Sequence, residues 1–137
     1  MTDPIRFSCS CGAVTGTVAR KPEFVHDCNC SFCSAGNAHW GYFRPTEVSV
    51  RGETTGTTRE DRKAPMAEMH RCTACGTTTH FVLTENAQRW HGNVVQGVNM
   101  KLADQSALAG VELRFPDGKN WSGDGAFDYV RDPVTLG

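Results

Sequence analysis

Cys72-Thr73-Ala74-Cys75-Gly76 sets two thiols in one tight turn, followed by a glycine that tolerates the positive φ such a turn tends to need. Both sulfurs can then point at a single metal ion, as in a zinc knuckle. Upstream stands a counterpart, Cys9-Ser10-Cys11-Gly12. In an extended strand, residues two apart share a face, so Cys9 and Cys11 can grip the same ion as a pair. Four thiolates close a tetrahedron. With 60 residues between Cys11 and Cys72, that metal ties the amino-terminal strand to the middle of the chain, a staple that a small sheet can use. The rival readings are buried apolar cysteines or a redox pair. The partner Cys-x-Cys and the lack of a helix beginning at Cys72 argue for metal.

Outward from these turns, the rhythm is that of an all-β chain. Gly and Pro recur about every ten residues, and short β-branched or aromatic stretches with partial alternation lie between them. The spacing predicts strands over 5–8, 13–19, 23–28, 39–44, 48–51, 66–72, 77–84, 94–101 and 111–115. Helix-forming composition is confined to 102–109, where Gly110 can end a turn or two. Residues 54–63, polar and without an apolar anchor, read as a solvated loop. No linker, solenoid repeat or low-complexity tract divides the sequence, so residues 1–137 are expected to form one domain.

Composition removes several function classes. The 14 basic and 15 acidic residues are spread evenly, giving a formal net charge of -1 and no basic stripe for nucleic acid or a membrane surface. No apolar run approaches the roughly 20 residues that span a bilayer, and Met1-Thr2-Asp3-Pro4 does not resemble an export signal. The expectation is a cytoplasmic protein. Seven cysteines, an odd number in three tight groups, fit metal thiolates better than a secreted disulfide framework.

The third group is Cys28-Asn29-Cys30-Ser31-Phe32-Cys33. Its spacing lets three sulfurs lie on one side of a turn around one ion, leaving a fourth position for water or a substrate atom. Three thiolates make the zinc a weak Lewis acid, ill suited to ionising water. A soft metal with soft ligands is suited instead to taking a thiol as its fourth ligand and holding it as a nucleophile. Two other arrangements fit the same spacing: a site closed by His26 or His39, and a set of reduced cysteines with no metal. His70, His80 and His91 read as ordinary polar or packing residues.

The three cysteine groups, in this order and spacing, resemble the glutathione-dependent formaldehyde-activating enzyme family. Gly97-Val98-Asn99-Met100-Lys101-Leu102 is similar to a strand of that family, and Phe115-Pro116-Asp117-Gly118-Lys119-Asn120-Trp121 to its Phe-Asp-Gly-x-x-Trp region. The resemblance implies a β-tent of antiparallel sheets built around zinc. It also implies a structural zinc at Cys9, Cys11, Cys72 and Cys75, and a second, reactive zinc at Cys28, Cys30 and Cys33. The implied activity is a carbon-sulfur bond-forming step, the addition of glutathione to formaldehyde. Asn29 and Ser34 stand where many members carry a histidine and a basic residue, so the chain resembles a Cys-Asn-Cys-x-x-Cys branch. Glutathione has two carboxylates, which Arg44, Arg51, Arg59, Arg62 or Lys63 could receive instead.

Two functions follow as expectations. The first is a zinc-dependent carbon-sulfur lyase or synthase that takes a glutathione-type thiol and formaldehyde or another small aldehyde, with Cys28, Cys30 and Cys33 as catalytic residues. The second is a non-catalytic thiol carrier or protein-interaction module. Trp40, Tyr42 and Phe43 are expected in the core or a pocket wall. Sheet edges leave room for a homo-oligomer.

Overall fold

Ile5-Arg6-Phe7-Ser8 alternates buried and exposed side chains, and that period of two makes it a strand with one face turned to a core. The structure, a computed structural model, describes residues 4–29, 38–58, 66–120 and 128–137. Its strands are β1 (Ile5–Ser8), β2 (Thr15–Val18), β3 (Phe24–His26), β4 (Trp40–Phe43), β5 (Val48–Arg51), β6 (Thr54–Thr58), β7 (Ala67–Cys72), β8 (Thr78–Leu83), β9 (Gln96–Asn99), β10 (Glu112–Arg114) and β11 (Val134–Thr135). One α-helix, α1 (Glu85–His91), joins them among the described residues. The expected all-β fold is the observed one.

The strands make two sheets. The smaller has the order β1-β2-β5, and the larger runs β11-β10-β3-β4-β9-β8-β7-β6. Every pairing is antiparallel except that of β3 with β10, where Phe24, Val25 and His26 lie beside Glu112, Leu113 and Arg114 in parallel. In the larger sheet the register puts Leu113, Val25, Gly41 and Val98 on one face. Leu113, Val25 and Val98, with Phe43 and Met100, meet Ile5, Phe7 and Val18 of the smaller sheet in the main core. Each large side chain removed from water there contributes roughly 1.5–3 kcal/mol. Gly16 belongs to the same packing, because a Cβ at that position would overlap the Phe7 ring.

The opposite face of the larger sheet is aromatic. Trp40 meets Phe81 edge-on at 5.1 Å between ring centres, and Ala38 and Met69 complete that cluster. Beside it, Tyr42, Phe24 and His26 form a second contact set, in which the His26 Nδ1 and the Tyr42 hydroxyl are hydrogen-bonded at 2.9 Å. Trp40 and Phe43 are buried and Tyr42 is half-buried, as expected of core and wall residues.

Three local readings differ from expectation. Residues 54–58 are a strand and not a loop: β6 lies at the sheet edge, pairs with β7 from Thr54 opposite Cys72 to Thr58 opposite Glu68, and needs no apolar anchor there. Its β-branched threonines suit an edge, and Thr54 Oγ1 sits 2.9 Å from His70 Nδ1. Residues 59–63 of the expected loop lie outside the described residues. Helix α1 was not expected, although its Thr84 cap, which accepts from the Ala87 amide, its Glu85–Arg89 pair and its Gly92 terminus are all sequence signals. The expected helix at 102–109 is instead two 3-10 turns, Met100–Leu102 and Gln105–Leu108. They are separated where Asp104 caps the Ser106 amide, and Gly110 at φ 87 follows the second. No helix among the described residues is long and apolar enough to cross a membrane.

His80, only 6% exposed, stacks on His70 at 4.7 Å between ring centres. Burial first, and then the charge of His70, push its pKa from the ordinary 6.5 down to about 4. The unfolded chain therefore takes up this proton at a higher pH than the folded one, so acid favours unfolding across the window from 6.5 to about 4. The stability of His80→Gln in urea should fall less steeply over that window than that of the unaltered chain. Identical slopes would show that His80 does not titrate there.

Candidate metal centre

Two turns of matching design face each other. After β1, the Gly12 amide donates to the Cys9 carbonyl at 3.1 Å and the Cys9 amide to the Val14 carbonyl at 2.9 Å, with Gly12 at φ 78. After β7, the Gly76 amide donates to the Cys72 carbonyl at 2.9 Å and the Cys72 amide to the Thr77 carbonyl at 2.8 Å, with Gly76 at φ 77. A side chain other than glycine is strained at such φ. Cys9-Ser10-Cys11 was expected as an extended pair, but the turn itself brings its sulfurs together. Ser10 and Thr77 hydroxyls join the two turns at 3.0 Å.

The four sulfurs converge. Cys9 Sγ to Cys11 Sγ and Cys11 Sγ to Cys72 Sγ are each 3.7 Å, and all four lie within 4.8 Å of one another. Zinc-sulfur bonds of 2.3 Å in a tetrahedron require sulfurs about 3.8 Å apart, so this quartet fits a metal ion of that kind. Backbone amides aim at the sulfurs as well, Val14 N at 3.3 Å from Cys9 Sγ and Cys75 N at 3.5 Å from Cys72 Sγ. Such donors favour thiolate over thiol.

The acidities are those of a group suited to a cation. The Thr77 hydroxyl, followed by backbone donors, pulls the Cys75 thiol down to about 5. For Cys11 the largest influence, the Ala13 amide, also lowers it, yet the neighbouring Cys75 and Cys9 sulfurs together push it up to about 11. Four sulfurs this close do not all ionise without a positive charge between them. Cys9 and Cys72 are buried, whereas Cys11 and Cys75 are exposed. With all four positions supplied by protein, the quartet offers no vertex for a substrate, which suits a structural role.

Cys28 lies elsewhere. It follows β3, where the Asp27 amide extends the pairing by donating to the Arg114 carbonyl at 2.9 Å, and it is buried. Cys30 and Cys33 lie outside the described residues, as do Arg59, Arg62 and Lys63. Arg44 and Arg51 are exposed. Of the histidines weighed as a closing ligand, His26 is hydrogen-bonded to Tyr42, and half-buried His39 holds its Nε2 3.6 Å from Asp27 Oδ2. Burial and then Lys101 lower the His39 pKa, while Asp27 raises it.

Two asparagines organise this region. Buried Asn99 accepts the His39 amide at 3.1 Å and the Lys101 amide at 3.2 Å, and donates to the Thr78 carbonyl at 2.8 Å. It thereby satisfies backbone groups where the pairing of β4, β8 and β9 runs out. Asn29, between the first two cysteines of its group, reaches away along the chain. Its amide nitrogen donates to Asp117 Oδ1 at 2.9 Å and its carbonyl oxygen accepts the Lys119 amide at 2.9 Å. Asn120, and then Asn29, hold the Asp117 carboxyl below the ordinary carboxylate range. The sequence showed both residues inside family-like motifs but gave no sign of these partners.

Two tests follow. Cys72→Ser should lose the metal of the quartet and at least about 3 kcal/mol of stability, read by metal analysis and denaturant unfolding. Metal retained at full stoichiometry would refute the quartet. Asn29→Asp sets a carboxylate against Asp117 and should cost about 1 kcal/mol, most of it restored when Asp117→Asn is added. A double variant no more stable than the single one would show that the pair does not interact.

Residues 4–108 match the family described as glutathione-dependent formaldehyde-activating enzyme, a span that contains all seven cysteines. Among solved structures, the chain is similar to the crystal structure of a Rhodobacter sphaeroides protein, with 26% sequence identity and a TM-score of 0.55 over 71% of this chain and 85% of the other. No curated protein matches it significantly. With the match running over most of its length, the chain belongs to the glutathione-dependent formaldehyde-activating enzyme family.

Proposed function

We propose that Cys9, Cys11, Cys72 and Cys75 hold a structural zinc in a single-domain protein. In this reading Cys28, Cys30 and Cys33 form the reactive centre of a carbon-sulfur lyase or synthase. The observation that carries it is the division of the seven cysteines: four close one quartet, and the remaining three fall in a separate group inside the family match. A closed quartet leaves the chemistry to that second group. The substrates are a glutathione-type thiol and formaldehyde or another small aldehyde, and the setting is the cytoplasm, where such thiols are kept reduced.

When bound by three thiolates, zinc supplies a soft Lewis acid that keeps an incoming thiol ionised. The chain's part is to supply those three sulfurs, and the Asn29 bonds to the 117–120 turn fix the backbone directly after Cys28. In the reaction the thiol sulfur bonds to the aldehyde carbon, the carbonyl π pair moves to oxygen, and the proton lost by the thiol is balanced by one gained at that oxygen. Nothing is oxidised or reduced.

Glutathione added to the cobalt-substituted protein should change the absorption bands of a thiolate-bound cobalt, and Cys30→Ser should remove that change while the quartet keeps its own ion. A response equal in both proteins, or absent from the unaltered one, would exclude the group as the thiol receptor and favour a non-catalytic module.

A further inference from the structure

The outer face of the small sheet carries a second binding feature. Strand alternation turns Arg6 and Ser8 of β1 outward, and the register sets Thr17 and Thr15 of β2 directly opposite them. Ser49 and Arg51 of β5 lie opposite Thr17 and Thr15 in turn. The face is therefore two rows of three, Arg6-Thr17-Ser49 and Ser8-Thr15-Arg51, each with one guanidinium and two hydroxyls and with the arginines at opposite corners. Strands about 4.8 Å apart, rising about 3.3 Å per residue, put the two arginine Cα atoms about 12 Å apart. These six residues, together with Phe7, Gly16 and Leu102, line a hollow of about 550 Å³, and no carboxylate lines it.

The charges there are unopposed. Arg20, Arg89 and Arg114 each hold a neighbouring carboxylate, from Glu47, Glu85 and Glu112 respectively. Among the described residues Arg6 and Arg51 have no such partner, and the hydroxyls of Thr15, Thr17 and Ser49 make no protein hydrogen bond. A concave surface with two guanidiniums and four hydroxyls and no carboxylate in its lining attracts anions, and a guanidinium recognises carboxylate or phosphate oxygens in pairs. Two cations are too few for a nucleic-acid track.

The geometry points to a binding site for a small molecule with an oxyanion group at each end, a dicarboxylate or a diphosphate, lying diagonally from Arg6 to Arg51 with the threonine hydroxyls beneath it. This site belongs to the smaller sheet, whereas Cys28 follows β3 of the larger one, so it stands or falls independently of the thiol chemistry. Its ligand would tie β1 to β5 beside Cys9.

Pyrophosphate, adipate and acetate titrated into the full zinc-loaded chain at low salt, followed by amide NMR shifts and calorimetry, test the site. One of the two dianions should bind saturably, with shifts centred on β1, β2 and β5, and the dianion that binds identifies the phosphate or carboxylate source. Arg6→Gln and Arg51→Gln should each weaken binding about tenfold, and the double variant should abolish it. Both side chains are exposed, so the variants should unfold at the same temperature as the unaltered chain without ligand. Failure of both dianions to bind, binding that survives in the double variant, or acetate binding as tightly as the dianions would overturn the proposal.

Discussion

Two turns far apart in sequence can face each other at 3.7 Å between sulfurs only if something offsets the repulsion of ionised thiols and the entropy of closing the intervening chain. A single cation held by the quartet would do both, and the four sulfurs lie close enough to one another to hold one. The Cys9 turn ends β1 of the smaller sheet, and the Cys72 turn ends β7 of the larger one. The four-cysteine group is thus a joint between sheets. Beside it, Cys9, Val14 and Cys72 form a small buried cluster with Val50, which continues the joint in apolar contacts.

The larger sheet has a division of labour between its faces. One contributes Val25, Phe43, Val98 and Leu113 to the main core and is committed to stability. The other carries Trp40, Phe81, Tyr42, Phe24 and His26, a run of rings around the strands that lead into and out of the second cysteine group. In that surround His26 is kept neutral, its pKa lowered to about 4 by burial and then by Arg114.

Much of this was legible from sequence because its signals are local. A Cys-x-x-Cys-Gly turn declares itself within five residues, and alternation such as Ile5-Arg6-Phe7-Ser8 declares a strand and its inner face. The four-sulfur partnership was readable as well, since a Cys-x-x-Cys turn and a Cys-x-Cys pair supply two thiolates each, although the turn at Cys9-Ser10-Cys11 was not foreseen. Less legible were features set by position in the finished sheet. Thr54–Thr58 carries no apolar residue, and only the presence of β7 beside it makes it a strand. Helix α1 is short enough that its caps, not a hydrophobic stripe, define it. Asn29 offered two plain donors and acceptors, and nothing near it in sequence names Asp117 and Lys119 as partners 88 and 90 residues away.

The parallel pairing of β3 with β10 has a consequence for how the chain assembles. During synthesis β3 emerges early, but the strand that covers its outer side, residues 112–114, comes from the last quarter of the chain and beyond the span shared with the family. Until then, one border of the segment leading to Cys28 exposes unpaired amides and carbonyls to any passing strand. Closing that contact is a slow, non-local event. The region around Cys28 is therefore among the last to be completed, well after both turns of the four-cysteine group have emerged.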